Sequence, residues 1–218
     1  MAQLFHSSAN NIAKASIVGA ILLAGLAGFV TVHIARSTYV TGIYNERPQP
    51  VQFSHRHHVG DDGIDCRYCH TTVETTASAG MPSTQTCMNC HTQIWNDSPY
   101  LEPVRKSYRE NVPIQWERVH DLPEYAYFNH SIHVAKGIGC SSCHGDVANM
   151  ASVQKVNTLQ MEWCLACHKD PTSFLRPKSE IFNTAYKDDL TTEEKAELAK
   201  KYQIRSRDLM TSCSMCHR

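Results

Sequence analysis

The chain has 218 residues, 21 basic against 21 acidic side chains, 42% apolar residues, thirteen histidines and ten cysteines. A net formal charge of zero excludes nucleic acid as the partner, because no basic excess exists to neutralise phosphates. Length alone allows one or two domains.

Residues 1–36 read as an N-terminal membrane anchor. Within them Ala15 to Ile34 form a twenty-residue apolar run in which only His33 is strongly polar. About 20 residues rising 1.5 Å each span a hydrocarbon core, so the run predicts a transmembrane helix. It is longer than the apolar region of an ordinary signal peptide, and no clean small-x-small cleavage site follows it. Lys14 before the run and Arg36 after it leave the charge rule silent on orientation. Residues 37–50 read as an extended tether, since Pro48 and Pro50 disfavour helix there.

From residue 51 the chain is organised by one pentapeptide, Cys-x-x-Cys-His, which occurs five times. The copies are Cys66, Cys69 and His70; Cys87, Cys90 and His91; Cys140, Cys143 and His144; Cys164, Cys167 and His168; and Cys213, Cys216 and His217. The competing readings of Cys-x-x-Cys are zinc knuckles and disulfides. Five chance placements of histidine after the second cysteine have a probability of about one in a million at this histidine content. Each copy therefore reads as an attachment site for c-type haem: two thiols add to the two vinyl groups, and the histidine becomes the proximal iron ligand. All ten cysteines are used, which predicts five covalently bound haem c groups. Attachment through thiols is carried out beyond the cytoplasm, which places the C-terminal side in the periplasm of a single-pass inner-membrane protein.

The copies start at 66, 87, 140, 164 and 213, so the gaps are 21, 53, 24 and 49. Short, long, short, long is the signature of a duplicated two-haem module with a third copy cut after its first haem. Local sequence supports the duplication. Phe53-Ser-His-Arg-His-His-Val matches Phe128-Asn-His-Ser-Ile-His-Val, and Val73 to Ser78 matches Val147 to Ser152. The modules occupy 51–98 and 128–170. Between them, 99–127 contains Pro99, Pro103, Pro113 and Pro123 and reads as a surface connection with at most short helices. Residues 171–218 form an extension that carries the fifth motif; Thr191 and Glu194 have capping-box spacing ahead of a run of good helix formers. The 182 residues after the anchor give about 36 per haem, too few to build a side-chain core around each porphyrin. The fold class expected is mostly α, with short helices, long irregular loops and little sheet.

Eight histidines are not proximal. His55 and His58 in the first module, and His130 and His133 in the second, follow an aromatic residue at matched positions. A His-x-x-His pair sets two imidazoles about one helical turn apart, so each pair can serve two irons as distal ligands and draw consecutive haems together. His57 has Ile132 as its counterpart and reads as a bystander. The truncated third copy has Ile204-Arg-Ser-Arg where its pair should be. His120 is the expected fifth distal imidazole, with Met150 as the alternative sixth ligand.

The stretch from Arg118 through His133, with Gly139-Cys-Ser-Ser-Cys-His-Gly and Met161-Glu-Trp-Cys-Leu-Ala-Cys-His, resembles the cytochrome c7/c3-like multihaem family. With five motifs and one N-terminal anchor, the layout is similar to the pentahaem cytochrome c subunits of alternative complex III, a membrane quinol:electron-acceptor oxidoreductase. The resemblance implies an electron-transfer subunit rather than an enzyme. Its partners would be an iron–sulfur/molybdopterin-type subunit, a quinol-oxidising membrane subunit, and a monohaem cytochrome c or terminal oxidase of a respiratory chain. The rivals are a NapC-type membrane quinol dehydrogenase and, in another class, a multihaem enzyme such as a nitrite reductase. Catalysis requires an open iron position, and no Cys-x-x-Cys-Lys variant is present.

Overall fold

The structure, a computed structural model, describes residues 5–217. The chain divides into two units, Met1–Ile43 and Tyr44–Arg218. The first is dominated by α1 (Ala9–Arg36), followed by a single turn, α2 (Thr38–Thr41), that Gly42 ends in the left-handed conformation. At 1.5 Å per residue, the 28 residues of α1 reach about 42 Å. The mean hydropathy of its most apolar 18-residue window is 2.3, and none of its residues is buried by the rest of the protein. A helix apolar all round and covered by nothing has the length and composition to cross a membrane.

The second unit is helical, and its β-type pairing is confined to isolated bridges such as the antiparallel one between Ile138 and Leu175. In chain order come a π-helical turn (Arg56–Asp61), α3 (Cys66–Cys69) and α4 (Thr84–His91). The proline-rich connection holds a 3₁₀ turn (Pro99–Leu101) and α5 (Glu102–Glu110). Pro99 and Pro103 sit at helix starts, where a missing N–H costs nothing. The second module supplies α6 (His130–Ala135), α7 (Cys140–His144), a 3₁₀ turn (Val147–Asn149) and α8 (Met161–Lys169). The extension contains 3₁₀ turns at Pro171–Phe174 and Lys178–Glu180, then α9 (Thr192–Lys201), α10 (Arg207–Met210) and α11 (Cys213–Cys216). The capping box that opens α9 is formed: Thr191 Oγ1 accepts from the Glu194 N–H while the Glu194 carboxylate accepts from the Thr191 N–H.

The stretch 44–50 is held down. Arg47 donates to the Arg118 carbonyl, and Gln49 pairs with both main-chain groups of Glu117. The apolar core is thin, as the shortage of residues per motif requires. One cluster is Val51, Met88 and Val104, with Cys87 packed against it. The other is Val73, Val134 and Ile181, with Cys140 packed against it. Each cluster thus ends on a motif cysteine.

The two modules interlock. The Arg56 N–H bonds the Met150 carbonyl, and at the equivalent place the Ser131 N–H bonds the Thr76 carbonyl. The histidine-pair segment of each module therefore docks on the loop that follows the first motif of the other. Gly60 makes this approach possible: a Cβ there would stand 2.4 Å from the Ala148 carbonyl oxygen.

Candidate functional site

Each motif folds as a helical turn, α3, α7 and α11 as short pieces and α4 and α8 as the last turn of longer helices. Helical periodicity puts the two cysteines, three apart, and the histidine, four from the first, on one face. In the first motif Asp65 caps the turn by accepting from the Arg67 N–H. None of the ten cysteines is in a disulfide. Among the described residues no three His, Cys, Asp or Glu side chains converge to hold a metal ion, which is what zinc knuckles would require. Burial raises the thiols at the third and fourth motifs, Cys140 and Cys167 to about 11 and Cys143 to about 12.

Four of the five proximal histidines are oriented by main-chain carbonyls. Nδ1 of His70 donates to Gly80 O at 2.7 Å, His91 to Ile94 O at 3.0 Å, His168 to Met210 O at 2.9 Å and His217 to Tyr125 O at 2.9 Å. A carbonyl accepts only, so Nδ1 must carry the proton and Nε2 is left with its lone pair. That is the second-sphere arrangement of metal-binding imidazoles.

The histidine pairs are set up the same way and duplicated closely. His58 donates to Ser54 O at 2.9 Å and His133 to Asn129 O at 2.7 Å. Phe53 stacks on His58 at 4.4 Å and meets His55 edge-on at 4.8 Å; Phe128 stacks on His133 at 4.4 Å and meets His130 edge-on at 4.8 Å. The aromatic ahead of each pair thus fixes both imidazoles. His130 Nδ1 donates across the module interface to Ala77 O at 2.8 Å.

The distances between imidazoles are diagnostic. His58 and His91 have ring centroids 6.1 Å apart, His130 and His144 6.3 Å, and His133 and His168 6.2 Å. A metal bound to two imidazole nitrogens at about 2.0 Å each, with each nitrogen about 1.1 Å from its ring centre, sets the centroids about 6.2 Å apart. The residues present therefore fit haem iron held between two histidines. His55 lies near His70: its pKa falls to about 4 through burial and then through the neighbouring His70 and His58 imidazoles. Burial also lowers His133, and His144 falls to about 3 through burial and the surrounding His120, His130, His70 and His55. These imidazoles are neutral at physiological pH, the form that ligates metal.

The structure brings the two remaining candidate ligands, His120 and Met150, to the third motif. The His120 ring packs 4.3 Å from that of His144, with Nε2 buried and unpartnered. Arg47 and Gln49, from a distant segment, fasten the backbone just before His120, at Arg118 and Glu117. A 4.3 Å ring contact is too short to enclose an iron between His120 and His144. Met150 also belongs to the third motif, where its terminal methyl lies beside Gly145. The ring beside His217 is that of Tyr125, 5.8 Å away. His57 is exposed and faces Asp61, Asp62 and the Trp95 ring, as suits a bystander.

The residue that motif reading missed is Arg176. It is buried, and its guanidinium donates to the hydroxyls of Ser141 and Ser142 inside the third motif. Gly139 leaves room for it: a Cβ there would lie 2.2 Å from the Arg176 Cζ. The available signal was a lone arginine between apolar Leu175 and Pro177.

Comparison with known proteins agrees with this geometry. The family model described as cytochrome c7 and related cytochrome c matches residues 51–101 and 126–218. The chain is also 28% identical over 179 residues to the multiheme cytochrome c subunit of menaquinone reductase from Nitratidesulfovibrio vulgaris, covering 80% of this chain and 70% of that protein. The chain belongs to the cytochrome c7 family.

Proposed function

From membership of the cytochrome c7 family, we propose that this chain is a membrane-anchored electron relay with five attachment sites for haem c, working within a quinol:electron-acceptor oxidoreductase of the alternative complex III kind. The observation that carries the reading is the spacing of three histidine pairs at 6.1–6.3 Å. Bound haem supplies a one-electron carrier whose iron keeps the same two ligands in both redox states. The protein's part is to hold those ligands. His58 with His91, His130 with His144 and His133 with His168 would hold the irons of their sites, His55 is the partner assigned to His70, and the ten cysteines would fix the porphyrins. Carbonyl partners on Nδ1 of His58, His70, His91, His130, His133, His168 and His217 keep those imidazoles in one tautomer and one orientation, so little has to move when charge passes. The apolar helix Ala9–Arg36 tethers the relay to the membrane, with the motif-bearing unit on the periplasmic side.

In this reading electrons arrive from an iron–sulfur/molybdopterin-type subunit and leave toward a monohaem cytochrome c or terminal oxidase, while a separate membrane subunit oxidises quinol. A second reading reverses the direction. The relative from N. vulgaris is named as part of a menaquinone reductase, and the same relay in such an assembly would carry electrons toward the quinone. Purification of the complex from membranes separates them. Reduction of the haem spectrum by a quinol analogue supports the first direction; reduction only by a periplasmic donor supports the second. Low-temperature EPR tests the relay itself: low-spin centres at the paired sites are expected, and high-spin, CO-reactive centres there would overturn it.

A further inference from the structure

The order of the five motifs in space is not their order in the chain. Asn89, inside the second motif, donates to the hydroxyl of Tyr68, inside the first, at 3.2 Å. The first motif then meets the third. Val73, just after His70, shares an apolar cluster with Cys140. A strap at Ile181 and Phe182 joins the same two motifs: the Cys140 N–H bonds the Ile181 carbonyl, and the Arg67 guanidinium lies 4.5 Å over the Phe182 ring. The reciprocal docking of Arg56 on Met150 and Ser131 on Thr76 holds this contact from both sides. The third and fourth motifs are linked through α6, one turn of which presents His130 to His144 and His133 to His168. The fourth meets the fifth where His168 bonds Met210 O, three residues before Cys213.

We infer that the attachment sites form a line in the order second, first, third, fourth, fifth, so that the surfaces around Cys87–His91 and Cys213–His217 are the two ends at which electrons are exchanged with partners. The contact between first and third motifs explains why two modules suffice for one uninterrupted line. Each module is a short two-site rod, and the reciprocal loops join the rods through their first sites. The fifth site then extends one free end. The membrane-proximal numbering of the chain, in which the first motif follows the anchor, hides that the first motif is internal.

This inference rests on the relay reading but fails separately from it. The test removes the first site alone, by Cys66→Ala with Cys69→Ala in the full-length haem-loaded protein, and records midpoint potentials and EPR spectra of the remaining centres. Each signal is assigned beforehand with the single variants His58→Ala, His130→Ala and His133→Ala. Signals of both the second and the third sites shift, and those of the fourth and fifth stay in place. A third-site signal that does not move overturns the order. If the double variant does not mature, the unaltered protein decides. In its fully reduced, diamagnetic state, proton NOEs connect haem substituents of the first and third sites; NOEs between second and third with none between first and third overturn the order. High-spin centres at all sites in the unaltered protein would sink the relay; carbon monoxide then makes the reduced centres diamagnetic, and the NOE pattern still judges the order.

Discussion

Replacing Arg176 by alanine tests how the C-terminal extension is bonded to the third motif. Four acceptors surround the guanidinium: Ser141 Oγ at 3.3 Å, Ser142 Oγ at 3.1 Å, and the carbonyls of Glu180 at 3.4 Å and Asn183 at 3.3 Å. The Tyr186 ring lies 4.7 Å below. A hydrogen bond to a charged group contributes about 1.5–3 kcal/mol, and these long ones belong at the lower end. A desolvated cation–π contact adds about 2 kcal/mol. Against this stands a desolvation cost of several kcal/mol for the buried guanidinium, whose Nε has no partner. The net loss expected for Arg176→Ala is about 3–4 kcal/mol. In a folded unit of this size each kcal/mol moves Tm by about 2–4 °C, so the midpoint falls by roughly 6–16 °C. The assay is thermal unfolding of the haem-loaded protein followed by far-UV circular dichroism. Arg176→Lys keeps the charge but loses the planar fork, and recovers about half of the loss. The midpoint potential of the third-site centre also falls on removal of the nearby positive charge, and Lys restores it. A Tm change below about 2 °C, or identical behaviour of Ala and Lys variants, refutes the bonding argument.

Three further outcomes follow from the geometry. His133→Ala produces one high-spin, CO-binding centre per chain and His58→Ala another, and the double variant gives two, because the pairs His133–His168 and His58–His91 share no ligand; a single variant that alters two centres would disprove the pairing. Gly60→Ala costs about 1–3 kcal/mol by forcing a methyl group onto the Ala148 carbonyl, whereas Gly63→Ala costs about 1 kcal/mol from backbone strain alone, its φ being +70° in open space; equal losses in denaturant titrations would remove the close module contact as the cause. Thr191→Ala lowers stability by about 1 kcal/mol through loss of the α9 cap and leaves the haem spectra unchanged; altered spectra would mean that α9 positions a ligand directly.

What the sequence disclosed and what it withheld divide along a physical line. Covalent and ligand chemistry leave short-range marks. Cys-x-x-Cys-His is legible because one helical turn must hold two thiols and an imidazole on one face, and the histidine pairs are legible because both follow an aromatic that fixes both rings. The capping box at Thr191 is local in the same sense. Everything withheld depends on contacts between distant segments. His120 looked available for any iron lacking a partner, but its place is set by bonds that Gln49 and Arg47 make to Glu117 and Arg118, partners 68 and 71 positions apart in the chain. Reciprocal docking of one module's histidine segment on the other's loop needs only main-chain groups, which any sequence provides, so it leaves no motif behind. Gly60 is its indirect trace, as Gly139 is of the Arg176 contact: each lacks a side chain where another segment passes within 2.4 Å of a would-be Cβ. The relay's chemistry is thus written in residue types, while its wiring is written in the spaces where side chains are missing.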